Sequence, residues 1–152
     1  MRPGTGQRWR WSNVPVPEPH VAGVLVGTVA HVLWPKRLFA RRRLARVSGW
    51  VLVWVGLLGI ARSVRTVGAL EVEKPTALVT SGPYASSRNP MYVAWTAVYL
   101  GIALVLNALW LFVVFPVVVA VTHRVVRAEE RALEHAFGDE YRAYRRTVPR
   151  YL

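Results

Sequence analysis

The side chains with the most chemistry to offer lie in two short stretches, SGPYASSRNPMYVAW at 81–95 and HRVVRAEERALEHAFGDEYRAYRRTVPRYL at 123–152. In the first, Gly82 and Pro83 mark a turn, and Asn89 followed by Pro90 opens a helix. Asn at a cap accepts from a free backbone N–H, and Pro at the first helical position brings a preset φ where its missing donor costs nothing. Tyr84, Arg88 and Tyr92 crowd that same helix end. Free N–H groups and the positive end of the helix dipole favour an anionic group there, and Arg88 adds a bidentate clamp. An arginine and two tyrosines gripping lipid headgroups at a membrane surface explain the same residues. In the second stretch Glu129 and Glu130 are adjacent acids. Neighbours on a helix point about 100° apart, so at most one of the two faces an interior pocket.

Elements must hold these groups in place, and the chain has four apolar runs: 21–34, 47–61, 91–106 and 108–122. Each is a little short of the roughly 20 residues that cross a bilayer core of about 30 Å. Snorkelling Arg and interfacial Trp are expected to complete each crossing. Asn107 alone separates the third run from the fourth, which predicts a tight helical hairpin returning to one side of the membrane. Residues 62–90 and the tail from His123 onward then share a compartment. Pro116 falls inside the fourth run, where a lost backbone hydrogen bond predicts a bend.

The tail continues that fourth helix into water, with His123, Arg127, Glu130 and Glu134 at helical spacing, so that Glu130 can neighbour Arg127 and Glu134. Glu134 and Arg131 read as part of a solvated face. Gly138 stops the helix, Asp139 is placed to cap a short second one, and Tyr141, Tyr144 and Val148 share its inner face before Pro149. The expected fold is an all-α integral membrane protein with about four transmembrane helices, the tight third–fourth hairpin and a C-terminal cytosolic helical extension.

Composition agrees with that class. The 152 residues are 53% hydrophobic, yet carry twenty Lys plus Arg against eight Asp plus Glu, a formal charge of +12. The basic residues cluster at the ends of apolar runs, as anionic headgroups and the positive-inside rule select, and not along one face of a nucleic-acid-binding fold. No nucleic-acid partner is expected. With no Cys, thiolate nucleophiles and Cys-ligated metals are excluded, and no metal site is expected. Residues 1–20 hold arginines but meet three prolines and Glu18 before any apolar segment, so they read as a cytosolic tail, with Trp9 and Trp11 at headgroup level. The loop KRLFARRRLAR holds six basic residues, and the other fourteen lie in the N-terminal tail, the 62–88 segment and the C-terminal tail. The larger group places both chain ends in the cytosol, with a cell's inner membrane as the expected location, and leaves the dense loop as an unexplained cost.

GPY at 82–84, RNPMY at 88–92, the acids 129 and 130, FGDEY at 137–141, Tyr144 and VPRYL at 148–152 together resemble the isoprenylcysteine carboxyl methyltransferase and phospholipid methyltransferase group of integral membrane enzymes. The likeness covers residues 78–152, in the family's order and with similar gaps. Asn89 stands where that family usually has His, and Ala94 where it usually has Gly. The resemblance implies a single domain, 1–152, with membrane helices in 1–70 and a cofactor-binding half in 78–152. It implies S-adenosyl-L-methionine as cofactor, held by Tyr84, Arg88, Asn89, Tyr92, Glu129, Glu130 and Tyr141, and a lipophilic acceptor arriving from the bilayer. The cofactor's carboxylate would meet Arg88 or the helix start, its ammonium or ribose Glu129 or Glu130, and its adenine a tyrosine.

An anionic acceptor is already a nucleophile, which explains why no catalytic residue stands out; an amine acceptor would call for a base that the motifs do not identify. A carboxylate, thiol, hydroxyl or amine on a lipophilic body all remain open as acceptors. Two other readings compete: a nicotinamide-dependent membrane reductase of the sterol reductase type, and a scaffold or lipid-binding protein of the same fold without the chemistry.

Overall fold

A computed structural model describes residues 17–67 and 77–152; Trp9 and Trp11 lie outside them. The described residues form five α-helices and a 3₁₀ turn: α1 Glu18–Leu33, α2 Arg42–Val67, the turn Gly82–Ala85, α3 Pro90–Leu106, α4 Leu109–Phe137 and α5 Asp139–Thr147. No strand is present among the described residues, only an isolated bridge between Arg37 and Ala108.

Two helices, α2 with 26 residues and α4 with 29, are long and apolar enough to cross a membrane. Their most apolar windows are only 11% and 22% buried within the protein, whereas the core helix of a soluble protein would be mostly covered. Leu44, Trp50, Trp54 and Leu58 on α2, and Val113 and Val117 on α4, point outward. Such a surface suits lipid, and a water-facing one of this extent would be a liability. The apolar helices α1 and α3 are shorter, at 16 and 17 residues.

The four helices alternate in direction. α2 lies along α3, and α1 lies along α4, more extensively than α3 and α4 touch each other despite the two-residue Asn107–Ala108 link. Small residues set the α2–α3 distance. A Cβ at Gly56 would fall 2.6 Å from the Ala94 carbonyl oxygen, and one at Gly101 would fall 2.7 Å from that of Gly49. Close backbone approach of this kind is how helices associate where no hydrophobic drive separates them from lipid. The extra methyl of Ala94 fits because Gly59 faces it; a Cβ there would sit 3.0 Å from the Ala94 Cβ. On the other side, Gly23 of α1 meets Val118 and Tyr99, and Gly27 meets Leu111, over a core of Tyr99, Ala103, Ala108, Leu111 and Val118.

Asn107 does more than turn the chain. It takes the left-handed conformation, φ 49°, open to Asn at modest cost. Its Oδ1 accepts from the N–H groups of Leu38 and Phe39 at 3.2 and 2.9 Å, and its Nδ2 donates to the Phe39 carbonyl at 2.8 Å. The basic 36–46 loop is thereby tied to the α3–α4 turn, at the end of the bundle opposite Arg88. α4 continues through Pro116 as one helix to Phe137.

At the Arg88 end the tail folds back. Gly138, φ 52°, breaks the chain between α4 and α5, and Tyr141, Tyr144 and Val148 form a second core with Leu78, Leu133 and Phe137. The expected cap by Asp139 is not made: Asp139 is the first residue of α5 and pairs with Arg142 at 2.7 Å. The final residues reach the start of α3, where the Arg88 N–H donates to the Pro149 carbonyl at 2.9 Å. Residues before α3 and residues after α4 therefore meet at one end.

Candidate functional site

Glu130 is the centre of this junction. Its side chain and that of Arg88 are each 8% exposed and lie 3.3 Å apart. On its other oxygen Glu130 accepts from Arg150, at 3.0 Å from Nε and 2.8 Å from a terminal nitrogen. The Asn89 amide donates to Glu130 at 3.1 Å and to the Arg150 carbonyl at 3.2 Å. Both carboxylate oxygens are thus occupied, and α3, α4 and the C-terminal segment are locked together by one acid. Glu130 does not pair along the helix with Arg127 or Glu134; Glu134 pairs instead with Arg145 at 2.9 Å.

Asn89 stands at the cap of α3 but makes no side-chain cap bond. Both protons of its amide are committed to Glu130 and Arg150, so the expected capping role gives way to a bridging one. The Arg88 guanidinium also donates to the Tyr141 hydroxyl at 3.2 Å, and the Ser87 hydroxyl to the Arg150 carbonyl at 3.3 Å. Burial pushes the Tyr141 phenol up, with the Glu130 charge adding and Arg88 opposing. The hydrogen bond to Glu130 raises Arg150, opposed by burial.

A second group lies beside the first. Glu129 is on the exposed side of α4, as the 100° separation required of one acid (about that value in any α-helix). It accepts from the Tyr92 hydroxyl at 2.7 Å. Tyr84 is held by its backbone, whose carbonyl accepts from the buried Tyr144 hydroxyl at 2.6 Å. Burial, and then the Glu129 charge, push the Tyr84 phenol up to about 12. Burial likewise takes Tyr144 to about 12. His123 and Tyr151 are joined at 2.9 Å close by in the tail.

The seven expected residues thus gather at one end, in two groups: Arg88, Asn89, Glu130 and Tyr141 within the buried network, and Tyr84, Tyr92 and Glu129 at its rim. Arg150, Ser87 and Tyr144 were not singled out as site residues. Arg150 and Tyr144 were present only as motif letters and Ser87 not even as that, since a separation of 20 residues between Glu130 and Arg150 has no helical meaning. Two cations share the single carboxylate of Glu130, leaving a local excess of positive charge, and the Arg88 Nε is buried without a partner among the described residues. A ligand carboxylate fits that donor set, and Glu129 with its neighbouring phenols fits a ligand ammonium or hydroxyl.

A helical bundle clad in apolar side chains, with one polar junction closed by its own tail, is the architecture of a membrane protein. The profile of the phospholipid methyltransferase family matches residues 44–140, and the chain belongs to that family. It is 35% identical over 113 residues to the cobalt-zinc-cadmium resistance protein CzcN of Cupriavidus metallidurans, covering 68% of this chain and 51% of that one. It is 31% identical over 108 residues to the nickel-cobalt-cadmium resistance protein NccN of Alcaligenes xylosoxydans xylosoxydans, covering 66% and 49%. Over 128 residues it is 31% identical to the protein-S-isoprenylcysteine O-methyltransferase of Rattus norvegicus, covering 80% and 45%. The chain spans about half the length of these curated relatives.

Proposed function

We propose that this protein is an integral membrane methyltransferase that uses S-adenosyl-L-methionine to methylate a lipophilic acceptor at the membrane–cytosol interface. In this reading the four apolar helices each cross the bilayer, residues 78–152 form the cofactor-binding half, and the C-terminus faces the cytosol. The observation that carries it is the meeting of the α3 start with the α4 extension and the tail around Glu130, with donors in excess of acceptors. Family membership and the isoprenylcysteine O-methyltransferase relative support the activity.

When bound, the cofactor supplies a methyl group on a sulfonium. Arg88 is the residue for its carboxylate, with the buried Nε, unpaired among the described residues, as the available donor. Glu130 holds Arg88 in place and is a positioning residue, since its own oxygens are taken. Glu129, Tyr92 and Tyr84 remain for the ammonium, the ribose hydroxyls and the adenine face. The protein's contribution to rate is then alignment of acceptor, methyl and sulfonium away from bulk water, and orientation alone can supply several kcal/mol.

The test is titration of the purified protein in lipid nanodiscs with S-adenosylmethionine and, separately, with reduced nicotinamide dinucleotide, followed by transfer of labelled methyl to extracted membrane lipids. Binding of the first alone, with a labelled lipid product, is the expected result. Binding of neither would leave a scaffold, and binding of the nicotinamide a reductase.

A further inference from the structure

α1 is apolar over most of its length but carries one buried polar side chain at its start. His20 is 2% exposed, and its Nε2 lies 3.0 Å from the Thr96 hydroxyl of α3. The hydroxyl of Thr96 has a single proton, and it goes to the Tyr92 carbonyl at 2.9 Å, a group that can only accept. With that proton on the Tyr92 carbonyl, Thr96 Oγ1 accepts from His20, and the neutral ring carries its own proton on Nε2. Nδ1 is then a bare lone pair, and it is buried without a partner among the described residues.

A second unpartnered group stands at the same level. The register of α1 on α4, Gly23 against Val118 and Gly27 against Leu111, carries His20 to the level of Thr122. Thr122 is 5% exposed, and its hydroxyl has no partner among the described residues. Buried polar groups are nearly always hydrogen-bonded, so two such orphans at one level of a bundle call for a ligand. Val21 and Val121, next to them in sequence, are exposed on the apolar surface, so the cluster lies just behind the lipid-facing side. Thr96 is one helical turn, about 5.4 Å, inside Tyr92, whose hydroxyl holds Glu129.

We infer that His20, Thr96 and Thr122 form the seat for the polar head of the acceptor, and that this head is a hydroxyl or thiol on a lipophilic body. The inference rests on the methyltransferase reading and narrows its acceptor. A carboxylate brings no proton to the His20 lone pair and would face it with like polarity, whereas an O–H or S–H group donates to Nδ1 and accepts from Thr122. His20 then acts as the base. The proton of the acceptor passes to Nδ1 while the acceptor's oxygen or sulfur bonds the methyl carbon, and the carbon–sulfur pair of the donor withdraws onto its sulfur. A neutral ether or thioether product and an imidazolium result, and the imidazolium returns its proton to water. No oxidant or reductant is required.

The experiment uses the full chain in nanodiscs with two probes of one shape, 4-dodecylphenol and 4-dodecylbenzoate. Equilibrium binding of each radiolabelled probe is measured without cofactor, and methyl transfer with it. The wild type is expected to bind and methylate the phenol at least tenfold better than the benzoate. His20→Gln keeps an acceptor atom but is a poor base, so it should retain phenol binding within about threefold and lose transfer at least tenfold. Thr122→Val, nearly isosteric, should weaken phenol binding about threefold to tenfold, the span of one lost hydrogen bond. S-adenosylmethionine affinity, which in the proposed reading rests on Arg88 and the rim residues Tyr84, Tyr92 and Glu129, should be unchanged in both variants. Preference for the benzoate, or wild-type phenol binding and transfer in both variants, would overturn the inference. A wild type that fails to bind S-adenosylmethionine would refute the methyltransferase reading instead, and the cofactor-free probe binding would still decide the seat.

Discussion

Glu130→Gln removes one charge from a junction that has two arginines on a single acid, and its cost can be worked from the contacts. Glu130 receives donors on both oxygens: Arg88 and Asn89 on one, Arg150 twice on the other. Glutamine offers one oxygen and one NH₂, so whichever way it turns, one set of donors faces a donor. Breaking a buried ion pair by removing one partner costs about 3–5 kcal/mol. The Arg150 side chain is 35% exposed and partly screened, which argues for the lower end, about 3 kcal/mol. For a chain of this size that corresponds to a melting temperature lower by about 6–12 °C. Thermal unfolding in nanodiscs, followed by tryptophan fluorescence, reads it directly. Arg150→Gln alone should cost about 1 kcal/mol or less, because a neutral Arg88–Glu130 pair remains. The double variant should cost clearly less than the sum of the two, since removing Arg150 also removes a donor left stranded by glutamine. A Glu130→Gln protein melting within about 2 °C of the parent, or strict additivity, would show that the junction does not hold the tail.

Glu129→Gln should leave the melting temperature unchanged, because the residue is exposed, while weakening S-adenosylmethionine at least tenfold by calorimetry. Equal affinity would remove Glu129 from the site. Tyr144→Phe strips the donor from the Tyr84 carbonyl and should cost about 1–3 kcal/mol, seen as earlier unfolding in denaturant. Gly56→Ala puts a methyl 2.6 Å from the Ala94 carbonyl oxygen and should cost about 1–3 kcal/mol by forcing α2 from α3; Gly138→Ala should cost about as much although nothing lies within 4 Å of that position, because φ 52° with ψ −119° is a backbone conformation that suits glycine alone. Tyr84 and Tyr144, with phenols raised from 10 to about 12, remain protonated when the unfolded chain has lost those protons. Their contribution to stability is present in full below pH 10 and falls as pH rises from 10 to 12. A melting temperature flat across that window in the wild type, and equally flat in Tyr144→Phe, would contradict their burial.

The sequence by itself determined the helices. The run at 91–106 became Pro90–Leu106, because Asn-Pro before it and Asn107 after it are local signals that need no partner. The fourth run and the charged tail became one helix to Phe137, ended by the glycine at 138, and the inner face of Tyr141, Tyr144 and Val148 followed from spacing alone. That one acid of the pair turns inward was also readable, from the angle between neighbours. Which acid, and what meets it, was decided by tertiary structure: the C-terminal segment brings Arg150 back onto Glu130, and the Asn89 amide is drawn from its cap to that acid. The same holds for His20, which in sequence is a lone histidine before an apolar run. Only the packing of α1 across α3 and α4 gives its ring one partner and leaves the other nitrogen without one. Local periodicity is a property of the backbone, whereas pairing across 20 to 76 residues depends on how helices cross, and helix crossing is set by contacts that no single segment contains.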